Sequence, residues 1–124
     1  MYWRSRVFKT QKMMNKYIYI AGKITGLDRE TCKEKFAVAE LKLRNAGAMP
    51  VNPFKLGIPS HFTFDESKPH NMKALRQCAA IFMLKDYEDS PGAMEELAEA
   101  ERMNLETYFE THNGYEDVFM AINS

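Results

Sequence analysis

The 124-residue chain has few cysteines, few histidines, no net charge and no long apolar stretch. Its two cysteines, Cys32 and Cys78, form no CxxC pair, and His61, His70 and His112 are scattered. That spacing excludes a disulfide scaffold and a thiolate zinc site, so no metal and no cofactor is expected. Thiols used this way fit a reduced, cytoplasmic protein. Seventeen Lys and Arg balance seventeen Asp and Glu. The chain therefore lacks the basic surface that a nucleic acid polymer requires of a partner. No apolar run approaches the roughly 18 residues of a membrane span. The opening MYWRSRVFKTQKMMN lacks the apolar centre of a secretory signal. Internal repeats and low-complexity tracts are also missing.

Charge is zero in sum but uneven in place. Arg4, Arg6, Lys9, Lys12 and Lys16 stand near the start without an acid, and Glu106, Glu110, Glu116 and Asp117 near the end without a Lys or Arg. The run MNKYIYIAG from Met14 reads as a natural domain start. Residues 1–15 are accordingly expected as an N-terminal arm or leader, and 16–110 as the one domain that this length suggests. Residues 111–124 are expected as a C-terminal tail, in which YEDVFMAI can form a helical turn or two.

Strand and helix signals alternate along the domain. Tyr17–Ala21 is β-branched and aromatic, hence a strand. The loop GKITG follows, and Asp28 or Thr31 can cap a helix in which Cys32, Phe36, Ala39 and Leu43 recur at helical spacing. Gly47 stops that helix. AMPVNP is a short strand whose prolines place it near an edge. A helix is predicted over about 64–78, with Met72, Leu75 and Cys78 inward. The unalternated run AAIFML suits a central parallel strand. Ser90 and Pro91 open another helix, and LETYF forms a fourth strand. The alternation predicts an α/β three-layer fold with a parallel sheet of about four or five strands. Ligands of such sheets sit at the carboxyl ends of the strands, which brings GKITG and KDYEDSPG together.

The stretch DYEDSPGAMEELAEAE holds seven carboxylates, and most acids on a helix face water. Rotation at about 100° per residue puts Ala93, Leu97, Ala100 and Asn104 on the core stripe. Glu95, Glu99 and Arg102 fall on the far side. Glu96 lies about 60° off the stripe, in the second turn near the strand ends. It is the acid best placed to enter a cleft, while its ordinary role would be that of a half-buried partner to a nearby cation. The helix start at Ser90–Gly92 offers unpaired N–H groups to an anion, with Gly92 permitting close approach, although an ordinary capped helix has the same residues. The loop Gly22, Lys23, Ile24, Thr25, Gly26 can cradle a phosphate through its backbone, with Lys23 adding charge. It is not a Walker loop.

YIAGKITG at the first strand, followed later by SPGAMEELAEA, resembles the nucleoside 2-deoxyribosyltransferase superfamily. The likeness spans about residues 17–109, and it is strongest to a small branch of that superfamily. It implies a flavodoxin-like or Rossmann-like fold and a homo-oligomer of two or more copies, without cofactor. It also implies that Glu96 is a nucleophile towards a sugar anomeric carbon, assisted by Tyr19. By the same resemblance Ser90 and the Gly22–Gly26 loop would bind a 5′-phosphate. Serine at that position leans towards a nucleoside monophosphate, since relatives with aspartate there favour free nucleosides. The expected activity is N-glycosidic bond hydrolysis, or 2-deoxyribosyl transfer, on a nucleotide or nucleoside. Two positions depart from the pattern. Asn71 stands where the family has an aspartate that handles the leaving base, and Ala79 replaces a second aspartate. Asparagine cannot donate a proton as an acid does. Asp65, Glu66 or His70 can substitute if the helix is shifted. Otherwise the chain binds such a ligand without turnover, or serves as an interaction module that uses only the fold.

Overall fold

A computed structural model describes residues 15–123. The basic arm lies almost entirely outside the described residues. Strands β1 (Tyr17–Ala21), β2 (Met49–Val51), β3 (Ala80–Met83) and β4 (Glu106–Phe109) form one sheet. All pairings are parallel, in the order β2-β1-β3-β4. The proline-bearing β2 is an edge strand, as its missing N–H requires. The unalternated β3 is central and buried along its whole length.

Helices α1 (Arg29–Asn45), α2 (Phe64–Arg76), α3 (Pro91–Arg102) and α4 (Gly114–Asn123) cover both faces. Ile18 and Ile20 of β1 face one layer, with Cys32, Phe36, Ala39 and Leu43 of α1 and Val118 of α4. Tyr19 and Ala21 face the other, with Leu75 of α2 and Ala93, Leu97 and Ala100 of α3. The result is a three-layer, flavodoxin-like α/β domain. None of its helices, among the described residues, is long and apolar enough to cross a membrane.

Local chemistry sets the boundaries. Asp28, not Thr31, caps α1: its carboxylate accepts from the Thr31 N–H at 3.0 Å. Gly47, at φ +100°, lets the chain leave α1 in a left-handed turn. A full capping box opens α2, with Thr63 and Glu66 each accepting from the other's N–H. Helix α2 ends at Arg76, so the buried Cys78 lies beyond it. Ser90 caps α3 by accepting from the Ala93 N–H at 3.1 Å. Buried Glu40 of α1 accepts from Arg44, Asn52 and Lys55, which fastens the segment after β2 onto α1.

Three expectations change. Helix α3 stops at Arg102, and Asn104 is an exposed turn residue at φ +59° rather than a core position. Glu99 does not simply face water: it accepts from Arg76 of α2 at 2.8 Å and from Arg102 at 2.7 Å. Glu95 likewise pairs with Lys68. Side chains on that part of α3 meet α2, a contact that helical periodicity cannot reveal. The run YEDVFMAI, where a helical turn or two was expected, lies in the ten-residue helix α4, whose Val118 is fully buried. The Tyr115 ring packs on Phe82 with centroids 4.6 Å apart.

The start of α4 is closely packed. A Cβ on Gly114 would stand 2.6 Å from the Phe109 carbonyl oxygen and 2.7 Å from Phe82. Gly114→Ala should therefore destabilise the domain by about 1–3 kcal/mol in urea denaturation. An unchanged midpoint would mean that α4 does not share in the cooperative core.

Candidate active site

In the order β2-β1-β3-β4 the chain winds outward in opposite directions from β1 and β3. The loops leaving the carboxyl ends of these two strands flank a crevice. They cross closely: a Cβ on Gly22 would lie 2.8 Å from the Leu84 side chain. Glycine is needed there for loop packing.

Asp86 ties the two loops together. Its carboxylate accepts from the Lys23 N–H at 3.0 Å and pairs with Lys35, whose ammonium also donates to the Lys23 carbonyl at 2.8 Å. The Cys32 thiol donates to the same carbonyl at 3.2 Å. Burial alone would raise the Asp86 carboxyl, but the hydrogen bonds from Lys35 and the Lys23 amide outweigh it and leave the group below its usual range. Both backbone polar groups of Lys23 are thus fixed.

Between the loops lies a cavity of about 220 Å³, lined by residues 22–25 and 89–93 with Phe64, Asn71 and Glu96. Tyr19, fully buried on β1, donates its hydroxyl to Glu96 Oε2 at 2.7 Å. Burial is the largest influence on Glu96 and pushes its carboxyl up; the Tyr19 hydrogen bond pulls it down, and neighbouring Glu95 adds a smaller rise. The outcome is about 7, against an ordinary 4.5. Burial, then the Glu96 charge and hydrogen bond, push the Tyr19 phenol well above its ordinary value, so it remains a donor. The arrangement can present a carboxylate held by one oxygen, with the other free to act.

Not every expected residue meets the cavity. Gly22, Lys23, Ile24, Thr25, Ser90, Gly92, Asn71 and Glu96 line it. Gly26 does not: it is an exposed turn glycine at φ +86°. Tyr19 lies behind Glu96 and acts through it. The Ser90 hydroxyl is engaged in capping, and a Cβ on Gly92 would meet the Phe64 ring at 2.5 Å. Gly92 therefore accommodates a protein ring rather than simply opening the backbone to a ligand. Ala79 is at the far end of β3, where its N–H bonds the Tyr17 carbonyl. None of Asp65, Glu66 and His70 lines the cavity. Glu66 is occupied by the capping box, and His70 packs beside Phe62.

Asp89, Phe64 and Ala93 line the cavity without having been singled out for it in the sequence. Asp89 precedes the expected cap and could have been found by following the loop one residue back. Phe64 gives no local signal, because its partner Gly92 is distant in sequence. Asn71 Oδ1 is buried and has no hydrogen-bond partner among the described residues, which marks it as an acceptor awaiting a donor. Among the described residues no group of three or more His, Cys, Asp or Glu is placed to hold a metal ion.

The model of a family described as a domain of unknown function (DUF4406) matches residues 16–109, and the chain belongs to that family. No curated protein matches the chain.

The raised carboxyl has a measurable consequence. Between pH 4.5 and about 7 the folded protein keeps a proton on Glu96 that the unfolded chain has lost. Stability from this group is complete below 4.5 and declines as pH rises towards 7. Glu96→Gln should remove that part of the decline in denaturation followed against pH. Tyr19→Phe should move the Glu96 carboxyl higher still in a carbon-detected NMR titration; an unchanged or lower value would contradict the hydrogen bond.

Proposed function

We propose that this DUF4406 member breaks an N-glycosidic bond in a nucleoside or nucleotide, passing the glycosyl group to water or to a second base. The observation that carries the reading is the Tyr19–Glu96 hydrogen bond, 2.7 Å long, beside a cavity at the strand ends. The ionised Glu96 attacks the anomeric carbon as the base leaves with the bonding electron pair. The resulting glycosyl ester is opened by water or by the incoming base. Tyr19 holds Oε2 and favours the ionised form, which leaves Oε1 for the attack. Activity then rises with pH through about 7, where Glu96 loses its proton.

The leaving base needs a proton, and Asn71 cannot supply one. Asp89 is the other carboxyl among the lining residues, but no contact among the described residues sets it in the place of Asn71, so a slow wild type is expected. A specific observation also favours a second reading, in which the cleft binds such a ligand without turnover: Asn71 faces the cavity where the resembled enzymes carry an acid. In either case the resemblance carries an expectation of a dimer or larger assembly, which light scattering reads directly.

Chromatographic release of free base from nucleosides and nucleoside monophosphates tests the reading. Glu96→Gln should abolish release without loss of fold, and Glu95→Gln, paired with Lys68 away from the cavity, should change it little. Loss of general acid help typically costs on the order of 10²–10⁴-fold, so Asn71→Asp should raise a slow wild-type rate. Ligand binding without release by the wild type and Asn71→Asp would favour the second reading. Equal release by Glu96→Gln would exclude Glu96 as the nucleophile.

A further inference from the structure

The cleft continues past Asn71. A second lobe of about 170 Å³ adjoins the first and shares Ile24, Thr25, Phe64 and Asn71 with it. Arg29 is the one charged side chain among its lining residues, and Ser60 and Ser67 add hydroxyls.

The stability of the helix does not explain Arg29. It is the first residue of α1, where the helix dipole favours an acid over a cation. Neighbouring Asp28 is turned to the Thr31 N–H and hydroxyl. Among the described residues no carboxylate pairs with Arg29. Its guanidinium lies 5.3 Å from the centroid of the Phe54 ring, a cation–π contact that steadies it without neutralising it. The Glu40 network holds the segment bearing Phe54 in place.

The first lobe is less suited to an anion. Asp89 and Glu96 line it against Lys23 alone. At the start of α3, Pro91 has no N–H, and the Ala93 and Met94 N–H groups bond Ser90 Oγ and Ser90 O. Only the Gly92 N–H is left, and the Phe64 ring packs against that residue.

We propose that the second lobe is the anion subsite of the cleft. Arg29, with the Ser60 and Ser67 hydroxyls, holds the phosphate of a phosphorylated sugar ligand whose reacting carbon lies at Glu96. Asn71 Oδ1, unpartnered at the junction of the lobes, accepts from a sugar hydroxyl between them. The role given to the reacting carbon rests on the glycosyl reading of Glu96; the phosphate site does not.

The test is an NMR titration of the full chain with ribose 5-phosphate and with ribose. The phosphorylated sugar should bind saturably, more weakly as salt is added, and far better than ribose. Arg29→Gln should weaken it on the order of tenfold or more, as expected for a lost charged hydrogen bond. Ser67→Ala, which leaves the start of α1 untouched, should weaken it by a smaller factor. Lys23→Gln and Ser90→Ala should leave the affinity nearly unchanged. Loss of binding in Lys23→Gln or Ser90→Ala, with Arg29→Gln unaffected, would assign the phosphate to the first lobe and overturn the proposal. Absence of saturable binding by the wild type would overturn it as well. Glu96→Gln should bind the ligand normally, so failure of base release and failure of phosphate binding are read separately.

Discussion

The hydrogen bond on which the site depends runs from the Tyr19 phenol, in the core, to the Glu96 carboxylate at the cleft. It spans 77 positions of sequence and joins the middle of β1 to the second turn of α3. Burial opposes ionisation of Glu96, and the phenol offsets part of that opposition. Burying either group would be costly unless it is paired, and each is the other's partner. The pair engages Glu96 Oε2, and Glu96 lines the cavity.

That surrounding structure is mostly polar. Asp86 and Lys35 hold the Lys23 backbone, which fixes one wall of the crevice. Lys68–Glu95 and Arg76–Glu99–Arg102 clasp α2 to α3, which sets Asn71 and Phe64 against the start of α3. Hydrogen bonds from Arg102 and then Arg76 hold the Glu99 carboxyl down at about 2, so this clasp persists through the neutral range. Beneath these contacts lie the two apolar layers, and the cavity that Glu96 lines opens at the strand ends.

Much of this was legible in the sequence where the signal is local or periodic. The strand YIYIA, the stripe Cys32, Phe36, Ala39, Leu43 and the Ser90–Pro91 helix start each carry their own period or cap. Glu96 could be singled out from the other acids of its helix because its angle differs from those of Glu95 and Glu99, and it lies nearer the strand ends than Glu101. What stayed hidden depends on contacts between distant segments. Glu99 reads as a solvated acid until α2 packs beside it. Gly92 reads as an opening for a ligand until Phe64 covers it. Gly114 and Val118 sit in an acidic, ambiguous run whose helix is secured by Phe82 and Phe109, and the second lobe exists only because α1, α2 and the segment after β2 converge. The roles proposed for Glu96 and Tyr19 come from the resemblance to nucleoside deoxyribosyltransferases and not from residue spacing.

The central claim is that Glu96 forms a bond with a sugar. Mass spectrometry of the protein after incubation with a 2-deoxy-2-fluoro nucleoside or its monophosphate tests this most directly, because fluorine beside the anomeric carbon slows opening of a glycosyl ester and lets it accumulate. The account predicts a fluoroglycosyl adduct on the tryptic peptide of residues 86–102, absent from the Glu96→Gln protein. Steady release of base with an unmodified peptide, or an adduct that survives in Glu96→Gln, would contradict it.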